Sequence, residues 1–303
     1  MKKEFTIKSN KDNLSLSVFM MVPKNPVGIV QISHGMCEHK ERYYDFMEFL
    51  STNGYITIIH DQRGHGKSIN NKDDLGYMYD RTSEYIVEDF HQITEYIKKE
   101  YPDLPLILFG HSMGSLIVRN ILKKYPEDID KMVICGSPSK HTFLNFAVFV
   151  DIVSTMIYRD DHHRCPILNK IVIGPYIKSV KHANTNFDWI CTNQDVVEEY
   201  CNDPLTGFLF TNNAYFSLFK LLKNTYNKKD WNITNPKMPI FFIAGAEDPV
   251  IINKKEWLKS IDFLRKIGYT NIKSKLYRNS RHELINEYTN NVVYKDIIDF
   301  IDK

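Results

Sequence analysis

The chain has 303 residues, of which 43% are hydrophobic and 25% charged, enough for one large globular core. With 39 basic residues against 37 acidic, the net charge is only +2, which gives no electrostatic footprint for nucleic acid and no acidic tail. Five cysteines, Cys37, Cys135, Cys165, Cys191 and Cys201, are odd in number and form no CxxC pair, so free thiols in a reducing compartment are expected.

The opening residues MKKEFTIK carry lysines without a following apolar core, so no secretory signal is expected there. Strand patterns follow at 14–22 and 28–33, helical spacing at 41–53, and a β-branched run at 55–60 that ends on Asp61. An amphipathic helix is predicted over 82–100, with Thr82 and Ser83 as candidate caps. Residues 104–109 form a continuous apolar run between Pro102 and Gly110, as expected of a strand buried on both faces of a parallel sheet. Helix is predicted over 112–124 and a further buried strand over 131–136.

From 139 to 235 the rhythm breaks, and the pattern becomes aromatic-rich and mostly helical. Its most apolar stretch, 143–158, has 16 residues and contains Asn145 and Asp151, too short and too polar to span a bilayer. The strand pattern resumes in MPIFFIAGAEDPV (238–250), followed by helix at 254–267, strand at 272–277 and a last helix at 292–301. The expected architecture is α/β: a mostly parallel central sheet with helices on both faces, built from 1–138 and 236–303, with a helical cap inserted at 139–235. A soluble cytoplasmic protein is expected.

LILFGHSMGSLIV places Gly-x-Ser-x-Gly between an apolar strand and an amphipathic helix, the context that defines a nucleophile elbow. Gly110 and Gly114 let strand and helix approach closely, and Ser112 then projects above the carboxyl edge of the sheet. A serine hydroxyl needs a base to take its proton, and the base needs an acid. His282, in NSRHELIN between the last strand and last helix, is the candidate base, whereas His141, His162, His163 and His182 fall in the cap. Asp248, before Pro249 at the end of a strand, is the candidate acid, with Glu247 as the alternative. The oxyanion would be held by the backbone amides of Met113, directly after the serine, and Met36, in the glycine turn SHGMCEH.

Five segments in order, SHGMCEHKERY, DQRGHGKS, GHSMGS, NDPL and GAEDPV, resemble the monoacylglycerol lipase and lysophospholipase group of the α/β-hydrolase superfamily, also called serine aminopeptidase S33-like. The resemblance covers about 28–300 and is weakest in the cap. It implies an α/β-hydrolase fold, Ser112 as nucleophile, Asp248 as acid, His282 as base, and the Met36 and Met113 amides as the oxyanion hole. It also implies that Arg63-Gly64-His65-Gly66 is a structural turn and that the cap covers the serine and lines an acyl tunnel. Met36 and Cys37 depart from the small residue and glycine usual in that group, which leaves a backbone donor intact but narrows the acyl site.

Gly35 and His111 beside the serine, and Phe143, Phe146, Phe208 and Phe210 from the two apolar stretches of the cap, are the candidate substrate-binding residues. The implied substrate is an ester with an acyl chain, a monoacylglycerol or lysophospholipid, with peripheral membrane contact through the cap and no nucleic-acid partner. Two alternatives stay open: an S33-type peptidase, whose peptide amine could be held by Asp160, Asp161, Glu198 or Glu199, and a non-catalytic binding protein of hydrolase fold. The RDDHHR segment is read as a solvated loop, because adjacent histidines point apart, so no metal or organic cofactor is expected.

Overall fold

A computed structural model describes residues 1–140 and 144–303. In chain order it contains β1 (Lys2–Lys8), β2 (Ser15–Met21), β3 (Gly28–Ser33), α1 (Tyr44–Thr52), β4 (Tyr55–His60), α2 (Glu84–Glu100), β5 (Leu106–His111), α3 (Met113–Lys124) and β6 (Lys131–Cys135). Then come α4 (Leu144–Tyr158), α5 (Pro166–Val172), α6 (Gly174–Ile177), α7 (Gln194–Asn202) and α8 (Asn212–Thr225), before β7 (Ile240–Gly245), α9 (Lys254–Ile267), β8 (Ile272–Tyr277) and α10 (Asn290–Ile301).

The eight strands form one sheet in the order β1-β2-β4-β3-β5-β6-β7-β8. The two pairings of β2 are antiparallel and the other five are parallel. Every residue of β3, β4, β5 and β7 is buried, as a sheet covered on both faces requires. The period-two alternation divides these strands between two cores. Ile29, Leu106, Leu108 and Ile134 face the side covered by α2, α3 and α9, through residues such as Phe90, Ile117 and Ile261. Val30, Ile107, Phe109 and Val133 face the side covered by α1 and α10, through Phe46, Leu50 and Ile297.

Between β6 and β7 the described residues contain helices and no strand. This excursion packs onto the α3 side of the sheet, where Phe210, Tyr215 and Phe219 join the same core as Leu116. Asn120 of α3 donates to Thr225 Oγ1 of α8 at 2.8 Å, a buried polar tie between the two helices.

Two local details differ from the sequence reading. Strand β1 was not expected, because KKEFTIK exposes most of its length; it lies at the sheet edge, where charged residues blunt the unpaired backbone. Helix α2 begins at Glu84, and Ser83, although it stands at the cap position, adopts φ +64° and does not cap. Thr82 Oγ1 accepts from Glu84 N at 3.1 Å and Asp80 accepts from Tyr85 N at 3.0 Å in its place.

Candidate active site

The buried strand β5 runs straight into α3 at Ser112, which is held at φ +52° and ψ −120°. That backbone costs an L-residue roughly 1–3 kcal/mol and persists only where its surroundings over-determine it. Here Ser112 N donates to Cys135 O at 3.0 Å, and Ser112 O accepts from Ser115 N at 3.0 Å. The two glycines are required by contact. A Cβ on Gly110 would sit 2.6 Å from Val118 Cγ2, and one on Gly114 would overlap the carbonyl oxygens of Ser33 and His34. Ser112 is half-buried on the wall of a cavity of about 310 Å³.

Asp248 follows β7 in the tight turn Pro249–Ile251, and its Oδ1 accepts from Val250 N at 2.9 Å. Its Oδ2 lies 3.0 Å from Nδ1 of His282, which occupies the loop between β8 and α10. Both side chains are buried, and His282 lines the same cavity as Ser112. Burial lowers the basicity of the imidazole, but the charge and hydrogen bond of Asp248, with smaller help from Glu283 and Glu38, outweigh it and hold His282 above the ordinary histidine value. With Nδ1 engaged by the carboxylate, Nε2 is the nitrogen free to exchange a proton. Glu247 is exposed to solvent, away from this pair.

The loop after β3 is pinned from several sides. His34 Nε2 accepts from Gln62 N at 2.9 Å, and its other nitrogen lies 2.8 Å from Gly35 O, which fixes a neutral ring; burial accordingly pushes this imidazole well below its usual pKa. Gly35 N donates to Glu38 Oε1 at 2.5 Å, and Cys37 takes φ +55°. Gly35 and Met36 line the cavity, as does Met113 at the N-terminus of α3, where backbone N–H groups lack intrahelical acceptors. The Arg63-Gly64-His65-Gly66 segment is a buried turn that does not line the cavity: Arg63 binds Asp89 at 2.8 Å and Asp12 at 3.0 Å, and His65 packs behind the wall against His34 and Phe208.

Of the remaining sequence candidates, His111 and Phe208 line the cavity. The His111 ring centre lies 4.5 Å from that of His282, and burial, then the neighbouring His282, push its pKa well down. Phe210 is buried one layer behind Phe208, against His65 and Tyr215, rather than on the wall. Phe146 is 59% exposed on α4 and does not reach the cavity. Phe143 and His141 lie outside the described residues. His162 stacks on Tyr77 and His163 on Tyr158, both away from the cavity; His182 is exposed. Among the described residues no group of His, Cys, Asp and Glu has the arrangement to hold a metal ion. Asp160, Asp161, Glu198 and Glu199 are absent from the cavity wall, and Asp161 is paired with Arg81.

The sequence reading missed a buried ionic cluster beside His282. Arg42 forks onto Glu283, at 2.6 and 2.7 Å, and reaches Glu38 Oε2 at 3.1 Å. The spacing of Glu38 and Arg42, four residues apart, and the Glu next to His282 were the available signals.

An eight-stranded, mostly parallel sheet with a serine on the strand-to-helix turn after its fifth strand and an Asp–His pair beyond its seventh and eighth defines an α/β-hydrolase. The chain belongs to the serine aminopeptidase S33 family, whose profile it matches over residues 24–289. It is 24% identical over 279 residues to a monoacylglycerol lipase of Mycolicibacterium smegmatis, covering 91% of this chain and 89% of that one. It is 23% identical over 279 residues to a phospholipase of Bacillus subtilis, covering 92% and 96%. A thermostable carboxyl esterase from Bacillus coagulans superposes with a TM-score of 0.90 at 24% identity, covering 99% of this chain and 98% of the other.

Proposed function

We propose that this protein is a serine hydrolase that cleaves a carboxylic ester bearing an acyl chain, a monoacylglycerol or lysophospholipid, through an acyl-enzyme. The observation that carries the reading is the convergence of Ser112, on its strained turn, and the His282–Asp248 pair on one cavity. Family membership and the lipase and phospholipase relatives support the ester class.

In this reading Ser112 Oγ attacks the ester carbonyl carbon while its proton passes to His282 Nε2. Asp248 holds the ring by Nδ1 and stabilises the imidazolium. The amides of Met36 and Met113 receive the developing oxyanion, and His282 returns the proton to the departing alcohol. Water, deprotonated by the same imidazole, then releases the acid and restores Ser112. The apolar part of the wall, including Leu116, Ile173, Phe187, Phe208 and Phe219, suits an acyl chain.

Residues 139–235 act as the cap over this cavity, since Tyr176, Phe187 and Phe208 come from them. Helix α4 exposes Phe146, Phe149, Met156 and Ile157, each more than half accessible, and these make peripheral contact with a lipid surface. Among the described residues no helix is long and apolar enough to cross a membrane. The amide-cleaving alternative finds no unpaired acid on the wall among the described residues to hold a peptide amine, because Glu38 and Glu283 are both engaged by Arg42.

The test is a hydrolysis panel of monoacylglycerols, lysophospholipids and aminoacyl amides, with Ser112→Ala as blank. Acyl esters turned over and the blank silent, by about 10⁴–10⁶-fold, is the expected result. Preference for aminoacyl amides, or wild-type turnover in pure Ser112→Ala protein, overturns it. Failure of a fluorophosphonate to label Ser112 would point to the non-catalytic alternative.

A further inference from the structure

The cluster of Glu38, Arg42 and Glu283 joins two loops that the reaction needs in register. Glu38 belongs to the loop after β3, and its Oε1 accepts both from Gly35 N at 2.5 Å and from Tyr43 OH at 2.8 Å. It therefore fixes the peptide next to Met36. Glu283 is the residue after His282. Its own N–H donates to Ile190 O at 2.7 Å, and Asn286 Nδ2 donates to its Oε2 at 2.9 Å. Arg42 is the only described group that binds both carboxylates, and all three side chains are nearly inaccessible, at 11%, 4% and 5% for Arg42, Glu38 and Glu283. The helical excursion between β6 and β7 contributes as well: the Tyr200 ring of α7 lies 4.8 Å from the Arg42 guanidinium, and its hydroxyl donates to Cys37 O at 2.9 Å.

We infer that Arg42 is a positioning residue, which by holding Glu283 with both arms and Glu38 with one sets the loop bearing the Met36 amide against the loop bearing His282. This inference rests on the proposed hydrolase reading. A buried guanidinium that takes two carboxylates in a planar fork gives directional restraint that a lysine cannot reproduce. Surface ion pairs carry little of this kind, whereas a buried and fully hydrogen-bonded cluster fixes geometry.

The cluster also sets the field at the base. The charged and titratable groups facing His282 are Asp248 from the β7 turn, His111 from the end of β5, and Glu38, Arg42 and Glu283 from the two loops. Burial works against the Glu283 carboxylate, but the Arg42 fork holds it below the usual carboxylate range, so it is ionised beside the imidazole. Burial lifts Glu38 above that range, with Glu283's charge adding to the rise against the pull of Arg42. The ionised Glu283 favours the imidazolium that forms when Ser112 loses its proton.

Two variants separate geometry from field. Arg42→Lys keeps the charge but loses the fork; Glu283→Gln keeps the shape but loses a negative charge next to His282. Both are assayed on p-nitrophenyl butyrate from pH 5 to 9, with melting temperature and fluorophosphonate labelling of Ser112 in parallel. Arg42→Lys is expected to lower kcat about tenfold or more, with KM within about threefold and the acid limb of kcat/KM unmoved, because the net charge is unchanged. Glu283→Gln is expected to move that acid limb to lower pH and to slow labelling. Folded variants with kcat within twofold of wild type and an unmoved acid limb overturn the inference. If Arg42→Lys does not fold, the Glu283→Gln profile decides alone. A wild-type protein that is neither labelled nor active sinks the hydrolase reading itself, a result distinct from either variant outcome.

Discussion

Asp248→Asn is the sharpest perturbation of the proposed chemistry, because it changes one charge and leaves the turn intact. The asparagine Oδ1 can still accept from Val250 N, the bond that holds the turn at Pro249–Ile251. Its amide nitrogen then faces His282 Nδ1 as a donor, where the carboxylate oxygen stood at 3.0 Å as an acceptor. The ring is driven into the tautomer with the proton on Nε2, and that nitrogen can no longer take the proton of Ser112. The lost charge has a matching size. At 3.0 Å and an effective dielectric of about 20, one carboxylate stabilises an imidazolium by about 5.5 kcal/mol. Each factor of ten in rate corresponds to about 1.4 kcal/mol, so kcat should fall by about 10⁴. The assay is single-turnover and steady-state hydrolysis of a soluble short-chain ester, with Ser112→Ala as blank and a melting curve to confirm folding. A folded Asp248→Asn protein that keeps a tenth or more of wild-type kcat at pH 7.5 would refute the assignment of Asp248 as the partner of the base.

Three further outcomes are expected. The acid limb of kcat/KM should have its midpoint above the ordinary imidazole value of about 6.5: His282 must be neutral to act as base, its basicity is raised in the fold, and activity is therefore lost as pH falls through that higher value; a midpoint at or below 6 contradicts it. Gly114→Ala should cost about 3 kcal/mol or more, because its Cβ overlaps two backbone carbonyls that cannot turn aside, and at roughly 2 °C per kcal/mol for a large domain the melting temperature should drop by about 6 °C; a change under 2 °C contradicts the close approach of α3 to β3. The double variant Phe149→Ser, Met156→Ser should reduce co-sedimentation with phosphatidylcholine vesicles by about tenfold or more, since each apolar side chain contributes about 1.5–3 kcal/mol on burial, while hydrolysis of the soluble ester stays within twofold; unchanged sedimentation removes α4 from the membrane-contact reading.

The parts of the molecule that the sequence made legible are those governed by local rules. A strand buried on both faces reads as an unbroken apolar run, and 104–109 was located by that signal within two residues of β5 at either end. The glycines of the elbow mark a close approach that a Cβ would obstruct, so the pattern alone puts Ser112 on the turn between β5 and α3. That Asp248 and not Glu247 lies beside His282 follows from the turn: adjacent side chains diverge, and the one before the proline is the one that caps Pro249–Ile251 and turns inward. Strand β1 escaped because an edge strand half in solvent loses the alternation on which a strand assignment depends.

The cavity wall obeyed different rules. Helix α4 is apolar on nearly every side, so periodicity offers no stripe from which to decide which face meets the core. Composition alone puts Phe146 in the pocket, yet it points to solvent while Ala147 and Asp151 turn inward. Phe208 and Phe210 share one extended stretch, yet only the first reaches the cavity, because the second is held behind it by His65 and Tyr215, residues distant in sequence. The Glu38–Arg42–Glu283 cluster shows the limit most clearly. Glu38 and Arg42 are separated from Glu283 by 241 residues or more, and in one dimension each looks like a solvated charge. Only the sheet order, which sets the β3 and β8 loops over the carboxyl ends of their strands, brings the three into one buried group. A buried charge is costly unless it is paired, so the cluster must be satisfied as a unit or not form at all. That constraint links the position of His282 to that of the loop bearing Met36, and under the proposed hydrolase reading it is why a change at position 42, outside the three residues that the elbow pattern singles out, should be read in the rate before it is read in the fold.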